Sequence, residues 1–254
     1  MPKVRINRAL ASAGIASRRR AEELIRAGRV QVNGKAVTDL ATQVDPGRDQ
    51  LSVDGKQVKL APLTYYLYYK PRGMISTMSD ERGRACVGDV CAPLVGHPRL
   101  CGRLDRESEG LILLTSDGDA AHRLAHPRYG LQREYQATLA PVLADKDAQR
   151  LVEGVRLEDG PGRFLGITLL GVEAGRCRLE IVIGEGRNRF IRRMCAALGY
   201  EVLRLKRVRL GPLALGKLKP GDVRQLGMAE AANLRKVLKL DMAQAPPSRR
   251  RRGE

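Results

Sequence analysis

Tryptophan is absent from the 254 residues, and only two phenylalanines and seven tyrosines replace it, so a core must rest mainly on Leu, Val, Ile and Ala. Long apolar runs are lacking as well. The longest are short stretches such as Leu111–Leu114, far below the roughly 18 residues of a membrane helix, so no membrane partner is expected. The start, Met1-Pro2-Lys3-Val4-Arg5, has no signal-peptide apolar region. The five cysteines, at 86, 91, 101, 177 and 195, are odd in number, form no C-x-x-C pair and match no zinc pattern, which fits reduced thiols and a cytoplasmic location. His122 and His126 stand four apart, as two ligands on one helix face do, but no third ligand accompanies them and no metal is expected. There is no Gly-rich loop ending in Lys-Ser/Thr and no dinucleotide fingerprint. Nucleotide-driven and hydride chemistry lack their parts, and the reading is of a reaction without a cofactor.

Negative charge is in short supply against 46 Lys and Arg: 28 Asp and Glu leave a net +18 at pH 7. A polyanion is the expected partner. Residues 1–60 carry 12 basic and 6 acidic side chains, residues 61–240 carry 30 and 20, and residues 241–254 carry 4 and 2. An excess spread over the whole chain implies that both folded parts face phosphate, unlike a basic arm tethered to a neutral body.

Ile6, Leu10 and Ala13 fall at helical spacing and Gly14 supplies a left-handed stop. Ser17 offers the cap of a second helix that buries Ala21, Leu24 and Ile25, ends at Gly28, and presents Arg18, Arg19, Arg20 and Arg26 on its other face. Asn33-Gly34 and Asp54-Gly55, flanked by Val30, Val32, Val37, Leu51, Val53 and Val58, predict two tight hairpins. The Pro62 region then separates this unit from the β-prone run Tyr65–Tyr69. Further strands are predicted at 111–115, 134–139, 164–170, 177–183 and 201–210, and helices at 119–125, 143–152, 188–198 and 229–240. The irregular order argues for an α+β domain on a mostly antiparallel sheet. The expected division is therefore 1–60, a linker at 61–64, a large domain at 65–241, and a basic, disordered tail at 242–254.

Three segments can carry chemistry. The first is the polar loop Gly102-Arg103-Leu104-Asp105-Arg106, which enters an apolar strand. A carboxylate among arginines stays ionised, as a nucleophile must; the same pattern also suits a surface turn. The second is Gly184-Glu185-Gly186-Arg187-Asn188-Arg189-Phe190-Ile191-Arg192, a glycine turn running into a helix, where arginines can hold phosphate or Arg192 can reach a carboxylate. The third is Tyr135, on an alternating strand, whose ring can stack on a base or simply fill a core.

Taken together, these residues resemble the bacterial ribosomal-RNA pseudouridine synthases of the RsuA/RluB/RluF type over nearly the whole chain. The specific signals are Lys70-Pro71-Arg72-Gly73, the stretch from Gly102 to Leu111, Leu113-Leu114-Thr115 with Asp117-Gly118, and Glu185–Met194. Residues 4–60, with Ser17-Arg18-Arg19 and Gly28–Gly34, resemble the alpha-L RNA-binding motif. The resemblance implies a bent mixed sheet with flanking helices, a cleft across its middle, and conversion of one uridine of ribosomal RNA, more often of the large subunit, to pseudouridine. It implies Asp105 as the catalytic aspartate, Tyr135 as the active-site tyrosine, Arg192 as the basic residue paired with Asp105, and Ile191 as an apolar wall. Arg103, Leu104, Arg187, Asn188, Arg189 and Phe190 would contact substrate, and Arg18, Arg19, Arg20, Arg29, Asn33 and Lys35 would contact RNA. Ser108 and Phe190 depart from the usual Thr and Gln, which implies altered contacts near the base. The partner would be ribosomal RNA or a ribosomal assembly intermediate, met by a monomer. A non-catalytic RNA-binding protein would explain the charge and the N-terminal motif equally well, but has no need of Asp105, Tyr135 and Arg192 together.

Overall fold

The computed structural model describes residues 3–45, 48–59 and 63–240. The expected linker at 61–64 lies partly, and the expected tail at 242–254 wholly, outside the described residues.

The N-terminal unit follows its local signals closely. Strand β1 (Val4–Arg5) leads into helix α1 (Ile6–Ser12), and Gly14, at φ +74°, turns the chain out of it. Helix α2 (Arg18–Arg26) is capped by Ser17, whose side chain accepts from the Arg20 N–H at 3.2 Å. Strands β2 (Val30–Val32) and β3 (Lys35–Ala36) meet at Asn33-Gly34. Strand β4 (Gln43–Val44) pairs with β1, and strands β5 (Leu51–Val53) and β6 (Lys56–Val58) meet at Asp54-Gly55. All four turn residues have positive φ, from 50° to 78°, the requirement of a type I′ turn. Ile6, Leu10, Ala21, Leu24, Ile25, Val30 and Leu51 form the small core beneath.

The larger unit is a nine-stranded sheet. Its first strand, β7 (Tyr65–Lys70), is buried at every position. After helix α3 (Val87–Cys91) and strand β8 (Arg99–Cys101) comes β9 (Glu109–Thr115), also buried throughout. Helix α4 (Gly118–Ala125) and a short 3-10 turn (Pro127–Tyr129) lead to β10 (Arg133–Ala140), which alternates buried and half-buried positions. Helix α5 (Asp145–Glu153) and the ribbon of β11 (Val155–Leu157) with β12 (Gly160–Gly162) precede β13 (Gly166–Glu173) and β14 (Arg176–Ile183). Helix α6 (Phe190–Ala196), strands β15 (Glu201–Leu210), β16 (Leu213–Ala214) and β17 (Val223–Gln225), and helix α7 (Met228–Val237) complete it.

The strand order is β13-β14-β10-β15-β9-β7-β17, with β8 on β9 and β16 on β15. Within this sheet β9–β15 is the one parallel ladder, and its register covers only Glu109↔Lys206 and Gly110↔Arg207. A mostly antiparallel α+β fold is thus observed. The double burial of β7 and β9 follows from two cores on opposite faces. Tyr66, Tyr68, Ile112 and Leu114 pack into one with Leu179 and Leu205, while Tyr65, Leu67, Tyr69, Leu111 and Leu113 pack into the other with Leu210 and Leu234. Among the described residues no helix is long and apolar enough to cross a membrane.

The two units meet at Asp117. Its buried carboxylate caps α4 through the N–H groups of Asp119 (3.0 Å) and Ala120 (3.2 Å), and accepts from Tyr65 Oη at 2.6 Å. It also binds Arg8 of α1 at 2.9 Å and Arg235 of α7 at 2.6 Å. Arg8 pairs with Asp119 too, and Gly14 lies against the His97 ring so closely that no Cβ would fit.

Candidate active site

A cleft of about 480 Å³ opens where β9 and β15 part, and Asp105, Tyr135, Arg207, Ile191 and Leu205 are among its lining residues. Asp105 comes from the β8–β9 loop, whose shape is set by tethers to residues 73–76. Ser76 Oγ donates to the Leu104 carbonyl at 2.7 Å and accepts from the Leu104 N–H at 3.2 Å, and the Gly73 N–H donates to the Arg106 carbonyl at 2.7 Å. The Ser108 N–H closes the turn on the Asp105 carbonyl at 3.0 Å. The Asp105 side chain is half-buried, and among the described residues its carboxylate makes no hydrogen bond or ion pair. A carboxylate held by its backbone alone is available to a substrate.

Beneath the loop lies Lys70, fully buried at the end of β7. Its Nζ donates to the carbonyls of Ser108 at 2.6 Å and Pro71 at 3.0 Å. Burial pushes the ammonium down to about 8, against the opposing pull of the Asp105 and Glu109 charges. Beside it Glu109 accepts from Tyr69 Oη at 2.9 Å and Arg204 Nε at 2.5 Å. Burial pushes its carboxyl up, but these donors outweigh it and hold the group below the usual carboxylate range.

Tyr135 stands on β10 opposite Arg207 of β15, where the register shifts between Glu134 and Tyr135. Such a bulge re-aims side chains beside a site. The ring is buried in the same core as Leu104, Ile183, Ile191 and Leu205. Arg133, two residues earlier, also lines the cleft. It spends its guanidinium on the carbonyls of Leu124, Ala125 and Leu131, the first two at the C-terminal end of α4.

The structure therefore brings Asp105, Tyr135, Arg103, Leu104, Arg187, Asn188, Arg189, Phe190 and Ile191 to one cleft. It does not join Arg192 to Asp105 as expected. Arg192 Nη1 donates to the Val202 carbonyl at 2.5 Å, whereas Nε and Nη2 are buried without a partner, and no ion pair to Asp105 forms. Burial lowers its pKa, with the charges of Glu107 and Asp105 opposing that shift. The reason is geometric: α6 packs on β15 and delivers the guanidinium to the start of that strand. Arg187, expected on substrate, pairs with Glu185 and Asp159, and Arg189 lies 3.4 Å from Glu107. Asn188 stands exposed at the rim. Phe190 is buried edge-to-face on Phe164 at 6.0 Å and lines the cleft beside Ile191. Ser108 is buried with an unpartnered Oγ.

In the N-terminal unit Arg18, Arg19 and Lys35 are exposed without side-chain partners among the described residues. Arg20 pairs with Glu23. Arg29 grips Asp54 in a two-bond fork at 2.7 and 2.5 Å, and Asn33 binds Asp49 and the Gln50 N–H, so both hold the hairpins together. The sequence reading missed the roles of Lys70 and Arg207. Its only signals were a lysine ending a tyrosine-rich strand and an arginine at the inward position two after Leu205.

The chain matches the family model of RNA pseudouridylate synthase over residues 64–197 and that of the S4 domain over residues 4–49. It is 43% identical over 235 residues to an RNA pseudouridine synthase of Mycobacterium tuberculosis, covering 91% of this chain and 92% of that one. It is 41% identical over 233 residues to ribosomal large subunit pseudouridine synthase B of Bacillus subtilis, covering 91% and 95%. A crystal structure of a pseudouridylate synthase superposes with a TM-score of 0.60 at 28% identity, covering 91% of this chain and 99% of that one. The chain belongs to the RNA pseudouridylate synthase family: it is an isomerase acting on RNA, with the pseudouridine-synthase fold and an N-terminal S4 domain.

Proposed function

We propose that this protein converts a specific uridine of large-subunit ribosomal RNA to pseudouridine, with Asp105 as its catalytic group. The observation that carries the assignment of the residue is the unpaired Asp105 carboxylate in a cleft shared with Tyr135, whose volume of about 480 Å³ suits a single nucleotide. The substrate class follows from relatives named for the large ribosomal subunit, the Bacillus subtilis protein and one of Vibrio cholerae at 38% identity.

A stacked uridine hides the bonds that must change, so the nucleotide is extruded into the cleft. This costs a few kcal/mol, and stacking on Tyr135 returns about 1–3 kcal/mol. Asp105 attacks or deprotonates the ribose. The N1–C1′ bond breaks, the base turns, C5 bonds to C1′, the C5 hydrogen leaves as a proton and N1 gains one. Substrate and product are isomers, so the balance needs no co-reactant. Ile191 walls the base, and Arg192 positions the aspartate loop through its charge.

The units at 1–60 and 65–241, joined at 61–64, divide the work: Arg18, Arg19, Arg20 and Lys35 grip phosphates while the larger unit does chemistry. The protein acts in the cytoplasm, as a monomer, on ribosomal RNA or an assembly intermediate. The test is release of tritium from unmodified ribosomal RNA labelled at uridine C5. Wild type should release it, and Asp105→Asn should bind RNA within about twofold of wild type while releasing none. Release by Asp105→Asn at the wild-type rate would remove the residue from its role, and no release by wild type would favour a pure RNA-binding protein.

A further inference from the structure

One buried cation of the cleft has no place in this scheme. Arg207 is 3% exposed and lines the cleft directly opposite Tyr135 on β10, so the two side chains leave the same face of the sheet. Its Nε donates to the Leu111 carbonyl at 2.7 Å, just where β9 and β15 separate beyond their two-residue ladder. Its Nη2 is buried and has no acceptor. No carboxylate pairs with it among the described residues. An unsatisfied buried donor is costly, more so when charged, a cost that persists in native proteins where a ligand completes the site.

We propose that Arg207 is a substrate-binding residue whose incompletely satisfied guanidinium donates to a carbonyl oxygen of the extruded uracil. Phosphates remain on the RNA backbone at the cleft mouth, where Arg103, Arg106 and Arg189 are exposed. A nucleotide entering base first brings the pyrimidine, and not its phosphate, to the floor. Uracil offers two carbonyl acceptors, at C2 and C4. When the N1–C1′ bond breaks, its electron pair passes to the ring and spreads onto both oxygens. A guanidinium there holds the departing base and strengthens its grip as charge develops, so it contributes to turnover more than to ground-state binding.

This inference rests on the uridine isomerisation proposed above. The experiment uses the full-length chain and transcripts of large-subunit ribosomal RNA tritiated at C5, carrying uridine, 2-thiouridine or 4-thiouridine throughout. Sulfur is a weak acceptor, so the thio exchange at the contacted carbon should slow wild type. Arg207→Met should lower the single-turnover rate on uridine RNA on the order of 10²-fold, with RNA affinity and its salt dependence within about twofold of wild type. The rate lost to one of the two thio exchanges in wild type should disappear in Arg207→Met, which identifies the oxygen. Effects of sulfur on RNA folding cancel, because both proteins meet the same transcripts. Arg207→Lys cannot serve the Leu111 carbonyl and the base together, and should show a thio effect reduced but present. It carries the test if the methionine variant does not fold. Thio effects unchanged from wild type in both variants would overturn the proposal, as would equal losses of rate and affinity. A wild-type protein that releases no tritium from uridine RNA overturns the underlying reading, and this one with it.

Discussion

The two-residue ladder between β9 and β15 makes Gly110 the most sensitive position near the cleft. Gly110 has φ +106° and lies against Arg207. A Cβ built there would stand 2.3 Å from the Arg207 carbonyl oxygen, 2.7 Å from its nitrogen and 3.0 Å from its carbonyl carbon. A carbon and an oxygen need about 3.3 Å, so Gly110→Ala must push the strands apart by roughly 1 Å. With only two paired residues there is no length of ladder to absorb the shift. Overpacking costs about 1–3 kcal/mol and the left-handed backbone about 1–2 kcal/mol more, together about 2–5 kcal/mol. In a chain of this size that lowers the midpoint of thermal unfolding by roughly 5–15 °C. Asp105 approaches Tyr135 across this ladder, so the same displacement should cut turnover about 10²-fold even well below the transition. Gly34→Ala is the control: φ is +78° there, but nothing lies within 4 Å, and only the backbone cost of about 1–2 kcal/mol remains. Thermal melts by far-ultraviolet circular dichroism and tritium release at 20 °C measure both effects. A midpoint for Gly110→Ala within about 2 °C of Gly34→Ala, with full turnover, would show that the ladder yields freely and that the close approach is immaterial.

Lys70 gives a pH signature. Its folded pKa, about 8, lies below its ordinary 10.5, so the unfolded chain binds this proton more tightly, and the contribution is full above 10.5 and lost as pH falls toward 8. Wild type should therefore gain stability relative to Lys70→Met between pH 8 and 10.5, by up to about 1.4 kcal/mol per pH unit in urea titrations; a flat difference across that window contradicts it. Asp117→Asn keeps most of the helix cap but removes the shared carboxylate from Arg235 and from Arg8, which keeps Asp119; the two arginine side chains are 22% and 18% exposed. A loss of roughly 2–4 kcal/mol is expected, at the lower end for buried pairs because water reaches both arginines, and a loss below about 0.5 kcal/mol would mean that the junction is not held by charge.

Elements decided within a few residues were legible in the sequence. Gly14, Ser17 and Gly28 bounded the first two helices, and Asn33-Gly34 and Asp54-Gly55 announced their hairpins. The strands around 65–69, 111–115, 134–139, 177–183 and 201–210 followed from apolar runs or alternation. The strand expected from Phe164 begins at Gly166, because Phe164 turns into the core to meet Phe190, and the rest lies at the sheet edge with Leu169 and Val172 exposed. Helix α3 was not legible, since Gly88, the second of its five residues, argues against helix. That glycine is there because the Met78 backbone leaves no space for a Cβ. The two- and three-residue strands β8, β11, β12, β16 and β17 are too short for any period and exist by tertiary pairing alone. Asp105 and Tyr135 were found through resemblance, and the fold places them in one cleft. Lys70 entered only as part of a family motif, without its role, and Arg207 was not found, because a buried cation among 46 basic residues looks like a surface charge until its burial is known. Arg29 and Asn33, read as facing RNA, are exposed and also bind across the hairpins to Asp54 and Asp49.

Strand β7 also gives the molecule a built-in optical label. Four of its seven tyrosines, at 65, 66, 68 and 69, lie on this one strand and divide between both faces of the large sheet, while residues 1–60 contain no aromatic side chain. Tyrosine emission and near-ultraviolet dichroism therefore arise wholly from residues beyond the S4 match, unmasked by tryptophan. The small N-terminal unit is silent at those wavelengths and contributes only to the far-ultraviolet signal. Melting followed in the two spectral regions thus separates unfolding of the RNA-gripping unit from unfolding of the catalytic sheet without any added probe.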